Sequence, residues 1–134
     1  MISSASEFKR LRESSDPSEY LQAAMDEAPI EVWEEIVETM AEMRFWVAQN
    51  KTVPVEILSR LACCDDPHVR RMVARKRKIT EPIAILLARD ADETVRVGLA
   101  YNAKLPDSVR DILRGDLSLL VRDALEISEE RRRR

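Results

Sequence analysis

The stretch LARDADETVRVGLAYNAKLP, Leu87 to Pro106, holds the pattern from which the fold is read. Its Arg96 has counterparts at Arg44, Arg70 and Arg122, each 26 residues from the next. An apolar residue precedes every copy: Met43, Val69, Val95 and Val121. Another follows three positions later: Val47, Val73, Leu99 and Leu125. The next position is small in three copies, Ala48, Ala74 and Ala100, and becomes Glu126 in the last. The register continues through Val53, Ile79 and Leu105 to Pro54, Thr80 and Pro106. Self-similarity of this length marks a repeat architecture, in which each unit buries its apolar face against its neighbours.

Each unit reads as two short helices. The first, helix A, has an apolar face at helical spacing: Ile57, Leu58 and Leu61 with Ala62, then Ile83, Leu86 and Leu87, then Val109, Ile112 and Leu113. Pro54, Pro82 and Pro106 suit its first turn, where proline removes no needed hydrogen bond. Asp66, Asp92 and Ser118 stand four residues before the repeated arginine and fit the N-cap of helix B. Pro67 after Asp66 strengthens that assignment. The first unit fits with a one-residue shift. Pro29, Val32, Trp33, Ile36 and Val37 form its helix A, and Arg44 to Val47 lie in helix B without an Asp cap. A terminal repeat adapted to cap a stack is expected to depart in this way.

Upstream, Pro17-Ser18-Glu19 predicts another short helix through about Met25. Residues 1–6 are Ser-rich and expected to fray, and Arg131 to Arg134 to form a solvated, mobile tail. The expected organisation is therefore all-α. An N-terminal segment covers 1–28. A solenoid covers 29–128, with units at 29–53, 54–79, 80–105 and 106–128, and a basic tail follows at 129–134.

The same residues carry a resemblance. The order Leu-Ala, Asp, Val-Arg, Ala, Asn, Pro within Leu87 to Pro106 resembles the leucine-rich repeat variant, a bacterial relative of HEAT-like repeats. LACCDDPHVRRMVARKRKIT is similar but has Lys76 where the better copy has Asn102. Met43 through Asn50 to Pro54 is the third match, and the resemblance covers roughly 29–126. It implies a right-handed α-solenoid of paired helices, one of each pair close to a 3₁₀ helix, used mostly as a binding scaffold. One branch of that family carries an iron–sulfur cluster on a separate cysteine cluster. The cysteines here are Cys63 and Cys64 alone, so no cofactor and no metal is expected.

Composition narrows the function classes. With 134 residues the chain holds one ordinary domain's worth of core. Only two glycines argue against an all-β fold rich in tight turns. No apolar run approaches the roughly 18–20 residues of a membrane span, and the first residues lack a signal-peptide core. The expectation is a cytoplasmic protein with no membrane contact and reduced thiols, since adjacent cysteines rarely pair with each other. Residues 1–50 carry 11 acidic and 4 basic side chains, a balance of −7; residues 51–134 carry 14 and 18, a balance of +4. The two halves therefore suit different partners.

The arginine ladder has two readings: a phosphate-binding stripe, or a tie between one unit and the next through the capping Asp. The planar guanidinium fork favours the tie. The run Arg70-Arg71 and Arg75 to Lys78 reads as a site for an anionic partner, or as a solvated helix end with favourably placed cations. Its equivalents in adjacent units are Gln49 and Asn50, and Tyr101 and Asn102, so the charge does not extend into a stripe. Together these positions form a polar ridge: Gln49, Arg75 and Tyr101, with Asn50, Lys76 and Asn102 beside it. Phe45 and Arg71 share one repeated position and complete the candidate partner-binding set. Trp33 and Trp46 are expected in the core. Glu27, Glu31, Glu34, Glu35, Glu38 and Glu42 read as the wet face of helix A, or as a surface for a basic partner.

Nothing in the chain reads as catalytic. His68 is the only histidine and falls in a turn after Pro67 with no nucleophile motif beside it. Phosphate loops, HExxH and CxxC motifs are missing. The leading expectation is a non-catalytic protein-protein interaction module: a small scaffold, adaptor or inhibitor of the immunity-protein kind. The alternative is a nucleic-acid or phosphate binder using Arg70 to Lys78. A HEAT-like DNA glycosylase ranks last, for want of a carboxylate–aromatic constellation. The end capping by Glu126 and Ser128 is modest, so a monomer or a weak homodimer is expected.

Overall fold

A computed structural model describes residues 1–134 as an all-helical chain without strands. It divides into two compact units, Met1–Leu61 and Ala62–Arg134. No helix is long and apolar enough to cross a membrane.

The first unit holds α1 (Ala5–Glu13), α2 (Pro17–Met25), α3 (Ile30–Thr39), a 3₁₀ turn (Ala41–Met43), α4 (Arg44–Gln49) and α5 (Val55–Leu61). Ser4 caps α1 by accepting the Glu7 amide at 3.1 Å, and Asp16 caps α2 by accepting that of Ser18 at 2.9 Å. Pro17 at the start of α2 costs no hydrogen bond there. Helix α1 packs on α3, α3 on α5, and α2 on α4. Phe8 and Trp33 meet edge to face at 5.4 Å between ring centroids, both fully buried. Such a pair adds about 0.5–1.5 kcal/mol beyond its area burial.

Residues 1–6 are not frayed. Ile2 is fully buried and its amide donates to the Glu27 carbonyl at 2.8 Å. Helix α1 itself was not expected from the sequence. Its buried stripe is only Ala5, Phe8 and Leu11, set among charged residues. Trp46 is only half-buried, not a core residue: the Arg12 guanidinium carbon lies 3.4 Å from the centre of its ring. Arginine can cover an aromatic face with its planar cation while its stem packs below. The acidic face behaves as solvated surface, with Glu38 paired to Arg60 and Glu42 to Lys9.

The second unit holds α6 (Pro67–Ala74), α7 (Glu81–Ala88), α8 (Glu93–Ala100), α9 (Asp107–Arg114) and α10 (Leu119–Arg133). The expected caps are in place. Asp66 accepts from the His68 amide, Asp92 from Thr94 and Ser118 from Val121. Helix α6 packs on α8 and α8 on α10, while α7 packs on α8 and α9. Val69, Val73, Leu87, Val95, Leu99, Val109, Leu113 and Val121 fill the space between, each nearly or fully removed from water. Each such side chain contributes about 1.5–3 kcal/mol.

The expected C-terminal tail is solvated, with residues 131–134 exposed, but it is helical through Arg133. Helix α10 continues to Arg133, with Ser128 buried and Glu129 paired to Arg114 at 3.0 Å. Glutamate and arginine are good helix formers, and one Glu–Arg anchor is enough to extend a helix already nucleated by packing.

Candidate binding groove on the second unit

The repeated arginines are structural. Arg70 donates Nε and Nη2 to the two Asp90 carboxylate oxygens at 2.7 and 3.2 Å, and Nη1 to the Cys64 carbonyl at 2.8 Å. Arg96 repeats this with Asp116 at 2.9 Å and the Asp90 carbonyl at 2.7 Å. Arg122 bonds the Asp116 carbonyl, and Arg44 that of Val37. The carbonyl lies six residues back in three copies and seven in the first, which is the one-residue shift read from the sequence.

The carboxylate partners correct the expectation, for they are Asp90 and Asp116, not the capping Asp66 and Asp92. Asp90 and Asp116 also accept the Asp92 and Ser118 amides, so each closes a turn and anchors an arginine at once. The hydrogen bond to Asp90 holds the Arg70 pKa above its ordinary value against the opposing effect of burial.

Asn50 and Asn102 are likewise not surface contacts. They are 0% and 7% exposed. Asn50 donates Nδ2 to the Ala23 and Asp26 carbonyls at 2.8 and 2.9 Å, and accepts the Thr52 amide. Asn102 donates to the Ala74 and Lys76 carbonyls at 2.9 and 2.8 Å, and accepts the Lys104 amide. The last carbonyls of a helix lack partners within it, and a carboxamide supplies two donors and an acceptor from one group. Both residues are therefore removed from the partner-binding set.

Of the remaining candidates, the structure brings Arg71, Arg75 and Tyr101 together. They line an open groove of about 500 Å³ with Arg77, Gly98, Asn102, Ala103 and Arg131. Arg71, Arg75 and Arg77 come from α6 and the turn after it, and Arg131 from the last turns of α10. The tight pairs of this unit, Arg70–Asp90 and Arg96–Asp116, engage other arginines; Arg71, Arg75, Arg77 and Arg131 form no ion pair with any carboxylate of the chain. Asn102 already bonds the α6 end carbonyls at Ala74 and Lys76. Lys76 is half-buried and is not among the residues that line the groove.

A second pocket of about 270 Å³ adjoins the first and shares Arg71 and Tyr101 with it. Val97, Leu120 and Ala124 give it apolar surface, and Glu93, Thr94 and Asp123 line it beside them. Leu120 is 61% and Tyr101 45% exposed, so both offer apolar area to an incoming group.

Phe45 and Gln49 belong to the first unit, where both are half-buried and Phe45 stands edge-on to Trp46 at 4.9 Å. Arg77 belongs to the basic run already read as a site for an anionic partner, whereas sequence reasoning missed Gly98, Leu120 and Arg131. Gly98 was the available signal, because glycine inside a helix marks a close approach. A Cβ there would lie 3.0 Å from Arg71 Cγ, so the arginine stem runs directly over α8. Cys63 and His68 are exposed, and no three His, Cys, Asp or Glu side chains converge in a metal-binding arrangement.

Against known proteins, the chain matches no family model, no curated protein and no solved structure.

Proposed function

We propose that this chain is a non-catalytic protein-interaction module, a short right-handed α-solenoid of HEAT-like repeats that serves as a scaffold, adaptor or inhibitor. The repeat reading is supported by the 26-residue register and by packing of each helix on the next but one within each unit. The observation that carries the functional reading is the open groove on α6, α8 and α10, where Arg71, Arg75, Arg77 and Arg131 stand without carboxylate partners beside exposed Tyr101. Arginine and tyrosine are the residues most often found to anchor protein interfaces. The working state is a monomer or weak homodimer.

A nucleic-acid reading draws on the same four arginines. The acidic side chains of the adjoining pocket, Glu93 and Asp123, speak against it, because a phosphate backbone continuing from the groove into that pocket meets like charge. Affinity capture from a lysate of the source cells, with and without nuclease, separates the two. The expected result is a stoichiometric protein that survives nuclease and is lost with Arg71→Glu. Recovery of nucleic acid, or of proteins that vanish with nuclease, replaces this function with the second one.

A further inference from the structure

We infer that the two adjoining pockets on the second unit read a short acidic segment of a partner protein, placing an acidic side chain in the arginine groove and a neighbouring apolar side chain on Leu120. The inference rests on the protein-interaction reading above and specifies the chemistry that such a partner must present.

Three observations carry it. The first is the missing counter-charge. Arg71, Arg75, Arg77 and Arg131 line one groove, yet none of them forms an ion pair with a carboxylate of the chain. Gathering four cations without an anion is unfavourable, and a carboxylate placed among them relieves the repulsion while accepting charge-assisted hydrogen bonds. The second is the continuity of the two pockets through Arg71 and Tyr101. One ligand can therefore occupy both, and its two halves must differ: anionic over the arginines, apolar over Val97, Leu120 and Ala124. A polypeptide offers both kinds of side chain a residue or two apart. Nucleic acid offers an anion at every step, and Glu93 and Asp123 line the second pocket beside its apolar residues. The third is the seating of Arg71. Its stem runs over Gly98, which has no side chain there, and Arg71 lines both pockets.

The test is selection of a displayed random 12-residue peptide library on the immobilised full chain. The same selection is run on Arg75→Glu/Arg131→Glu and on Leu120→Asp. These side chains are exposed, and circular dichroism checks that each variant remains helical. The inference expects peptides with Asp or Glu next to Leu, Ile, Met or Phe on the native chain. On Arg75→Glu/Arg131→Glu it expects loss of those peptides, by about tenfold or more in affinity, and enrichment of Lys or Arg at the acidic position. On Leu120→Asp the acidic preference stays and the apolar one disappears. A charge-inverted selection is a result that a purely structural role for these arginines does not produce.

Enriched peptides without acidic residues, or peptides that bind the charge-reversed variant equally well, overturn the inference and leave the interaction module standing. Retention of a single-stranded oligonucleotide with no peptide enriched overturns both.

Discussion

At the residue scale, the asparagines and the arginines divide the labour. Asn102 closes the end of α6 by bonding the Ala74 and Lys76 carbonyls from a buried position. Asn102→Ala leaves both carbonyls without these donors and is expected to lower the unfolding free energy by about 1–3 kcal/mol, read from urea titration. Unchanged stability would remove the asparagine from its structural role. Gly98→Ala tests the opposite case. Alanine gains helix propensity of up to about 1 kcal/mol over glycine, and the Arg71 stem at 3.0 Å is part of a flexible, exposed side chain that can yield. Stability is expected to rise slightly while peptide affinity falls, because Arg71 loses its seat. A calorimetric melt and a binding isotherm on the same sample measure both.

Acid sensitivity also begins with single residues. Asp92 is held below the ordinary carboxylate range chiefly by the Thr94 hydroxyl, with the Thr94 amide second. Glu19 is lowered likewise by Arg10 and then Ser14. A carboxylate with a depressed folded pKa adds stability that is present above its unfolded value and is lost as pH falls through the folded one. The melting temperature is therefore expected to be level between about pH 5 and 8 and to fall below about pH 4. Thr94→Val should shrink that acid loss, and an identical pH profile in the variant would exclude the Asp92 cap as its source.

At the element scale, α10 is the helix whose length matters. Its first turns bury Val121, Ala124 and Leu125, and it runs on past Glu129 to place Arg131 at the groove. Ending the chain after Glu130 removes exposed residues only and preserves the Glu129–Arg114 pair. The truncated protein is expected to melt within a few degrees of the full chain, since surface changes cost about 0.5 kcal/mol or less. It should nonetheless bind the acidic peptide several-fold more weakly. Loss of folding on truncation would mean that the last turn is part of the core rather than of the binding surface.

At the scale of the whole molecule, charge is distributed unevenly in a way the net value of −3 conceals. The acidic residues dominate positions 1–50, while the four uncompensated arginines gather in the second unit. Association with the proposed acidic segment is therefore expected to be driven in part by exposed charge, which salt screens over about 8–10 Å at physiological strength. Raising salt from about 50 to 300 mM is expected to weaken binding by roughly tenfold, mostly by slowing association. Salt-independent binding would assign the affinity to the Leu120 pocket alone.

The sequence by itself determined most of the helices from α2 onward, the caps of α6, α8 and α10, and the 26-residue spacing, but neither α1 nor the length of α10. These depend on local chemistry: Asp66, Asp92 and Ser118 cap from four residues before the repeated arginine, and Val69, Val95 and Val121 recur beside it. It also carried the part of the site at the end of α6, Arg71 and Arg75, and Tyr101 at the end of α8. Only the tertiary structure decided which polar residues face water. Asn50 and Asn102 looked like surface until packing set them against carbonyls 24–28 residues earlier in the chain. The same holds for the counter-charges: Arg70 finds Asp90 twenty positions away, and Arg131 reaches the groove only because α10 lies against α8. Capping and periodicity are short-range forces written in neighbouring residues, whereas burial and charge pairing depend on distances that exist only after the helices have packed.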